Sequence, residues 1–235
     1  MIPFIIFFFF FSSFFPFLFF FLPFLFFSSF LQSFPKLSRS YFGLLEYFIQ
    51  EHLQSTKDLP HDAFFYILAT LGEGLRSSDV SVASQVCAIL DHLCTFIYKN
   101  SIKFPTSPQL LHPITRLANE RPELLQFLLS SLYSMILYED SQIQWSVSRP
   151  MLPLILLCEK FFSEFILRLV QCQQVDKREW LAKALDELMS EVERKITPKN
   201  RDRFTQNVTV FRRDINGQSI QALPPITNPF QQLLV

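Results

Sequence analysis

The chain has 235 residues, 49% of them hydrophobic and 16% aromatic, with 21 basic and 21 acidic side chains and a formal net charge of zero. Such a balance leaves no long single-sign field, so neither a nucleic acid nor an acidic substrate is expected as a partner. All of these charges lie beyond residue 35, and the two parts of the chain are read separately.

Residues 1–35 form a Phe-rich, low-complexity segment. From Pro3 to Pro35, 30 of 33 residues are Phe, Ser, Pro or Leu, the four amino acids that pyrimidine-only codons encode. A polypyrimidine tract ahead of a splice acceptor translates into this mixture, and Gln32 matches the CAG that commonly ends one. The favoured expectation is translated intron up to about residue 32. The alternative is a membrane helix, because about 20 uncharged apolar residues suffice to span a bilayer.

From Tyr41 onward the pattern is amphipathic helix. Phe64, Ile67, Leu68, Leu71 and Leu75 form one apolar stripe of 3.6-residue period. Val82, Val86, Ile89, Leu90, Leu93 and Ile97 form a second. Leu125, Leu128, Leu129, Leu132 and Ile136 form a third, and Leu181, Leu185, Leu188, Val192 and Ile196 a fourth. Helices are expected near 41–54, 61–77, 79–98, 109–119, 122–138, 150–170, 176–196 and 200–215. Ser77-Ser78-Asp79 supplies N-caps, and Pro122 suits a first helical turn. Lys99–Pro108 reads as the longest internal loop. Pro150 reads as a helix start that holds Arg149 extended. Asp176 with Glu179 has capping-box spacing, and Pro198 reads as a helix stop. Four glycines in the whole chain argue against a hairpin-rich β fold. The expected fold is all-α, an α-solenoid of HEAT-like antiparallel helix pairs over residues 36–216; a single helical bundle has the same periodicity. Residues 217–235 carry no charge and three prolines, and are expected to be disordered.

No catalytic, cofactor-binding or metal-ligating residue is nominated, no cofactor is expected and the chain is not read as an enzyme. His52, His61, His92 and His112 are scattered singly, and Cys87, Cys94, Cys158 and Cys172 form no C-x-x-C pair. The cysteines read as buried free thiols of a reducing compartment. Trp145, ahead of the apolar run Met151–Leu157, reads as a helix-packing residue, with an interface anchor as the alternative. The basic and aromatic stretch Lys199–Asn207 with Phe211-Arg212-Arg213 reads as a solvated helix face, with an acidic partner as the alternative.

Several stretches resemble the exportin-7 (Ran-binding protein 16) family of the importin-β superfamily. They are Gln144-Trp145-Ser146-Val147-Ser148-Arg149-Pro150, Leu154–Ser163, and Lys199–Asn207 with Phe211-Arg212-Arg213. Lys36–Tyr41, Tyr66-Ile67-Leu68 and Glu73-Gly74-Leu75 match further upstream. The similarity runs from about Pro35 to Asn216 and corresponds to the C-terminal portion of the family.

The resemblance implies a nuclear transport receptor of the nucleus, cytoplasm and nuclear pore, with protein cargo, Ran-GTP and nuclear pore proteins as partners of the full-length family member. In that superfamily the principal Ran-binding repeats lie at the N-terminal end, so the Ran site is expected to be absent here. The alternative function is a membrane-anchored helical interaction protein. An internal cut in a solenoid exposes an apolar face, expected on the first helix at Phe42, Leu45, Phe48, Ile49 and Leu53.

Overall fold

In the computed structural model, residues 34–230 are described apart from 60, 106, 139–142 and 225. The intron and membrane-helix expectations for the Phe-rich segment fall almost wholly outside the described residues. The helices are α1 (Pro35–His52), α2 (His61–Gly74), α3 (Val80–Lys103), α4 (Pro113–Glu120), α5 (Pro122–Tyr138), α6 (Gln144–Leu157), α7 (Glu159–Gln171), α8 (Val175–Glu187) and α9 (Pro198–Ile215). Short 3-10 turns follow α1 and precede α4, and no strand occurs among the described residues. The all-α expectation holds there.

Helix α3 is the axis of the core. Asp79 starts it by accepting from the Ser81 amide (3.0 Å), while Arg39 and then Ser81 hold the Asp79 carboxyl down at about 2. Its stripe of Val82, Val86, Ile89, Leu90, Leu93 and Ile97 is at most 1% exposed. The helix is long and apolar enough to cross a membrane by length and composition, yet half of that window is buried within the protein, as in any core helix. α1 packs on α3, α3 on α6, and α6 on α9; α2 packs on α4 and α5, and α7 on α8. The two most extensive contacts, α1 with α3 and α3 with α6, thus skip over sequence neighbours, as they do when helix pairs stack in layers, while α5 packs on its neighbour α6.

Side-chain bonds give the register. Arg39 meets Asp79 and Gln50 meets His92, so α1 and α3 run parallel. Gln144 meets Thr209, Ser148 meets Thr205, and the Arg149 carbonyl meets Arg201, so α9 runs antiparallel to α6.

Several expectations are corrected. α1 begins at Pro35 and α3 continues through Lys103, so part of the expected 99–108 loop is helical. The expected helix 150–170 is two helices that meet at Cys158, and the first starts at Gln144 with Pro150 and Pro153 inside it. Arg149 is therefore helical, not extended. Pro153 lacks an N–H, which leaves the Arg149 carbonyl without its i+4 donor; the Arg201 guanidinium lies 3.4 Å from that oxygen.

α8 ends at Glu187, not near 196, and Glu191 takes a positive φ of 56°. Two asparagines on α9 stabilise the irregular stretch that follows. The Asn207 amide donates to the Leu188 and Ser190 carbonyls (3.1 and 2.8 Å). Asn200 donates to those of Glu193 and Lys195 (3.0 and 2.9 Å). Leu188 keeps its burial, while Val192 and Ile196 are half-exposed. Pro198 opens α9 behind the Thr197 cap instead of closing α8, and α8 starts after Gln174 with no side-chain cap.

On α1 and the turn that follows it, four of the five residues expected on an exposed apolar face, Phe42, Leu45, Ile49 and Leu53, are 2–3% exposed. That side receives α3. The outward apolar residues are Leu37, Leu44 and Tyr47. In the tail, residues 218–224 and 226–228 are not helical, and Phe230 is buried. Cys87, Cys94 and Cys158 are buried free thiols, pushed up to about 12 or well above their usual value by burial; Cys172 is half-buried.

His112 caps α4 through Nδ1, which accepts from the Ile114 amide (3.4 Å). Phe64 and Phe96 meet its ring edge-on at 5.5 and 5.0 Å. Burial lowers its pKa, with the Lys57 charge adding to the effect and a hydrogen bond to the Leu53 carbonyl opposing it. A proton on Nδ1 would destroy the cap. Folded-state depression means the stabilisation is complete above the unfolded histidine value of about 6.5 and is lost as pH falls through the lower folded value. Urea midpoints should therefore fall between pH 7.5 and pH 5, and His112→Asn, which can still cap, should flatten that dependence. Separately, Leu90→Ala should destabilise by about 2–5 kcal/mol through lost transfer energy and a cavity, measured by chemical denaturation.

Candidate functional site

The two sequence stretches that carry the resemblance most closely meet in space. Residues 144–150 lie on α6 and 199–207 on α9, and the cross-links given above join them. Where they meet α3, Arg201 donates to Asp91 and, through its other terminal nitrogen, to the Thr95 hydroxyl (2.6 Å). The side chains of Arg201 and Asp91 are 14% and 12% exposed. An arginine fork satisfied at this depth costs less than a stranded one, because each desolvated donor finds an acceptor.

Arg149 also faces Asp91, with Nε 3.8 Å from Oδ2. Its guanidinium stacks over the Trp145 ring, 4.8 Å from the centroid. Trp145 is 64% exposed, so it is not the helix-packing residue expected. A chain of interactions thus runs outward from Asp91 through Arg149 to an exposed tryptophan.

Asp91, Arg149 and Arg201 border a cleft of about 530 Å³ between α1, α3, α6 and α9. Its polar wall adds Gln50, His92, Lys99 and Asp202, and its apolar wall Ile49, Leu53 and Phe96. Gln50 and His92 are 2.7 Å apart across it. Mixed charge, an apolar floor and a Trp–Arg pair at the rim are the composition of a protein-binding hot spot. Among the described residues no group of three or more His, Cys, Asp or Glu side chains converges as a metal site would require. The stretch 199–213 is not simply a solvated face: Asn200, Phe204, Val208 and Phe211 are buried and Arg201 is paired inward. Sequence reasoning singled out Arg149 and Trp145 but missed the Asp91–Arg201 pair. Its one signal was a carboxylate beside the apolar stripe of α3.

Neither a family model nor a solved structure matches the chain. Curated proteins do. It is 40% identical over 192 residues to Ran-binding protein 17 of Homo sapiens, 37% over 191 to Exportin-7-A of Xenopus laevis, and 37% over 194 to Ran-binding protein 16 of Drosophila melanogaster. The chain is similar to exportin-7 and Ran-binding proteins 16 and 17. Each match takes in 79% of this chain and 18% of the relative, so the chain spans about a fifth of the length of these proteins. The exportin-7 resemblance read from residues 36–216 is borne out at that level.

Removing one member of the Asp91–Arg201 pair strands a buried charge. Arg201→Gln should cost about 3 kcal/mol in urea unfolding, and Asp91→Asn in the same chain should recover a measurable part of it. Trp145→Ala, at an exposed site, should stay within about 0.5 kcal/mol of the parent.

Proposed function

We propose that this chain is a protein-binding scaffold segment of an exportin-type nuclear transport receptor, acting without catalysis. The observation that carries the reading is 37–40% identity across most of the chain to proteins named exportin-7 and Ran-binding protein 16 or 17. Stacked helices with a Trp–Arg rim over a mixed cleft supply the kind of surface such a role uses. Protein cargo, Ran-GTP and nuclear pore proteins are the proposed partners of the receptor as a whole, which would shuttle between nucleus and cytoplasm. This segment would contribute curvature and contacts to that receptor. Its affinity for Ran-GTP alone would be low, because the resemblance puts the principal Ran-binding repeats in another part of such receptors. The membrane-anchored alternative draws no support from these relatives.

A chimera tests the proposal. The matched segment of Xenopus Exportin-7-A is replaced by the corresponding residues of this chain, and nuclear retention of an export reporter is followed in cells depleted of the endogenous receptor. The chimera should restore export, and Trp145→Ala within it should reduce the rescue without unfolding the protein. A folded, abundant chimera with no export activity would sink the reading. Nanomolar binding of Ran-GTP by the isolated chain would refute the low-affinity expectation.

A further inference from the structure

The uncharged tail makes two dissimilar anchored contacts. At the first, Gln173, 3% exposed, turns its side-chain amide on the backbone of Gln221. Its Nε2 donates to the Gln221 carbonyl (2.9 Å) and its Oε1 accepts from the Gln221 amide (2.8 Å). One planar amide thereby satisfies both main-chain groups of a single residue, as a neighbouring strand would. Nothing in that pairing reads the Gln221 side chain. Lys177 holds the same stretch through the Ser219 carbonyl (2.9 Å).

The second contact reads a side chain. Phe230 is 5% exposed and stands edge-on to Phe65 and Phe127, at 5.4 and 5.7 Å between centroids. Gly72 forms the floor: a methyl group there would come within 3.4 Å of the Phe230 ring. The Phe230 amide donates to Asn228 Oδ1 (3.0 Å), so Asn228-Pro229-Phe230 makes an Asx turn that presents the ring. One anchor that takes any backbone and one that takes an aromatic ring, nine residues apart, are the two parts of extended-peptide recognition.

We propose that the surface from Gln173 to the Phe65–Phe127 seat is a binding site for uncharged peptides that carry an Asx-Pro-aromatic turn. The chain's own tail fills it in cis, and the same segment supplied in trans fills it once the seat is vacated. The site is separate from the Asp91 cleft and stands or falls independently of the export role.

A tethered tail occupies its site at an effective concentration of about millimolar, so the seat is emptied first. Phe230→Ala is made in the full chain, and a fluorescein-labelled synthetic peptide of residues 217–230 is titrated by anisotropy. The vacated chain should bind the peptide at least tenfold more tightly than the parent does. Placing Phe230→Ala in the peptide, or adding Gln173→Ala to the vacated chain, should each weaken binding by tenfold or more. Circular dichroism confirms that both chains keep their helices, and hydrogen exchange of residues 218–230 should be slow in the parent and fast after Phe230→Ala. Equal binding to parent and vacated chain, binding indifferent to the peptide's phenylalanine, no binding to the vacated chain, or fast tail exchange in the parent would each overturn the proposal.

Discussion

Arg201 holds the far end of this structure to its middle. Its guanidinium reaches from α9 to Asp91 and Thr95 on α3 and to the Arg149 carbonyl on α6. Apolar burial drives helix packing but does not choose between neighbouring registers, because stripes of Leu and Ile tolerate sliding. A buried charge pair does choose, since a slip by one residue would leave a desolvated carboxylate and guanidinium apart. The pair therefore sets where α9 lies, and with it the position of every group that α9 positions.

Two consequences spread from that placement. The asparagines of α9 become available to the carbonyls of 188–195, and the chain between α8 and α9 takes its irregular course because those bonds satisfy it. Arg149 is drawn toward Asp91 on one side and supports Trp145 on the other. A large aromatic ring left in solvent at a supported position is the kind of group that protein interfaces bury. The stability of the core and the composition of the exposed rim are thus built on the same carboxylate.

The prolines of α6 show how a local penalty can serve the assembly. Pro150 and Pro153 remove two helix donors, yet both are buried in a continuous helix. One freed carbonyl, that of Arg149, meets Arg201 from α9. In isolation the segment reads as a helix start; packed against α3 and α9 it is a helix middle.

The helical periodicity, the N-caps at Asp79 and the first-turn proline at Pro122 were legible from sequence, because each depends on residues within about four positions of one another. Leu90 and Leu185 were legible as core for the same reason. The exportin-7 resemblance was legible because residues 144–150 and 199–207 keep recognisable order along the chain. What the sequence could not determine depends on distance across the fold. The Asp91–Arg201 pair spans 110 positions, the end of α8 depends on asparagines from α9, and the tail's contacts are made with Gln173 and with an aromatic seat assembled from α2 and α5. The choice of which side of α1 to bury was likewise tertiary, since both sides carry apolar residues and only α3 decides between them. Local periodicity shows which residues favour burial; only packing decides what they are buried against.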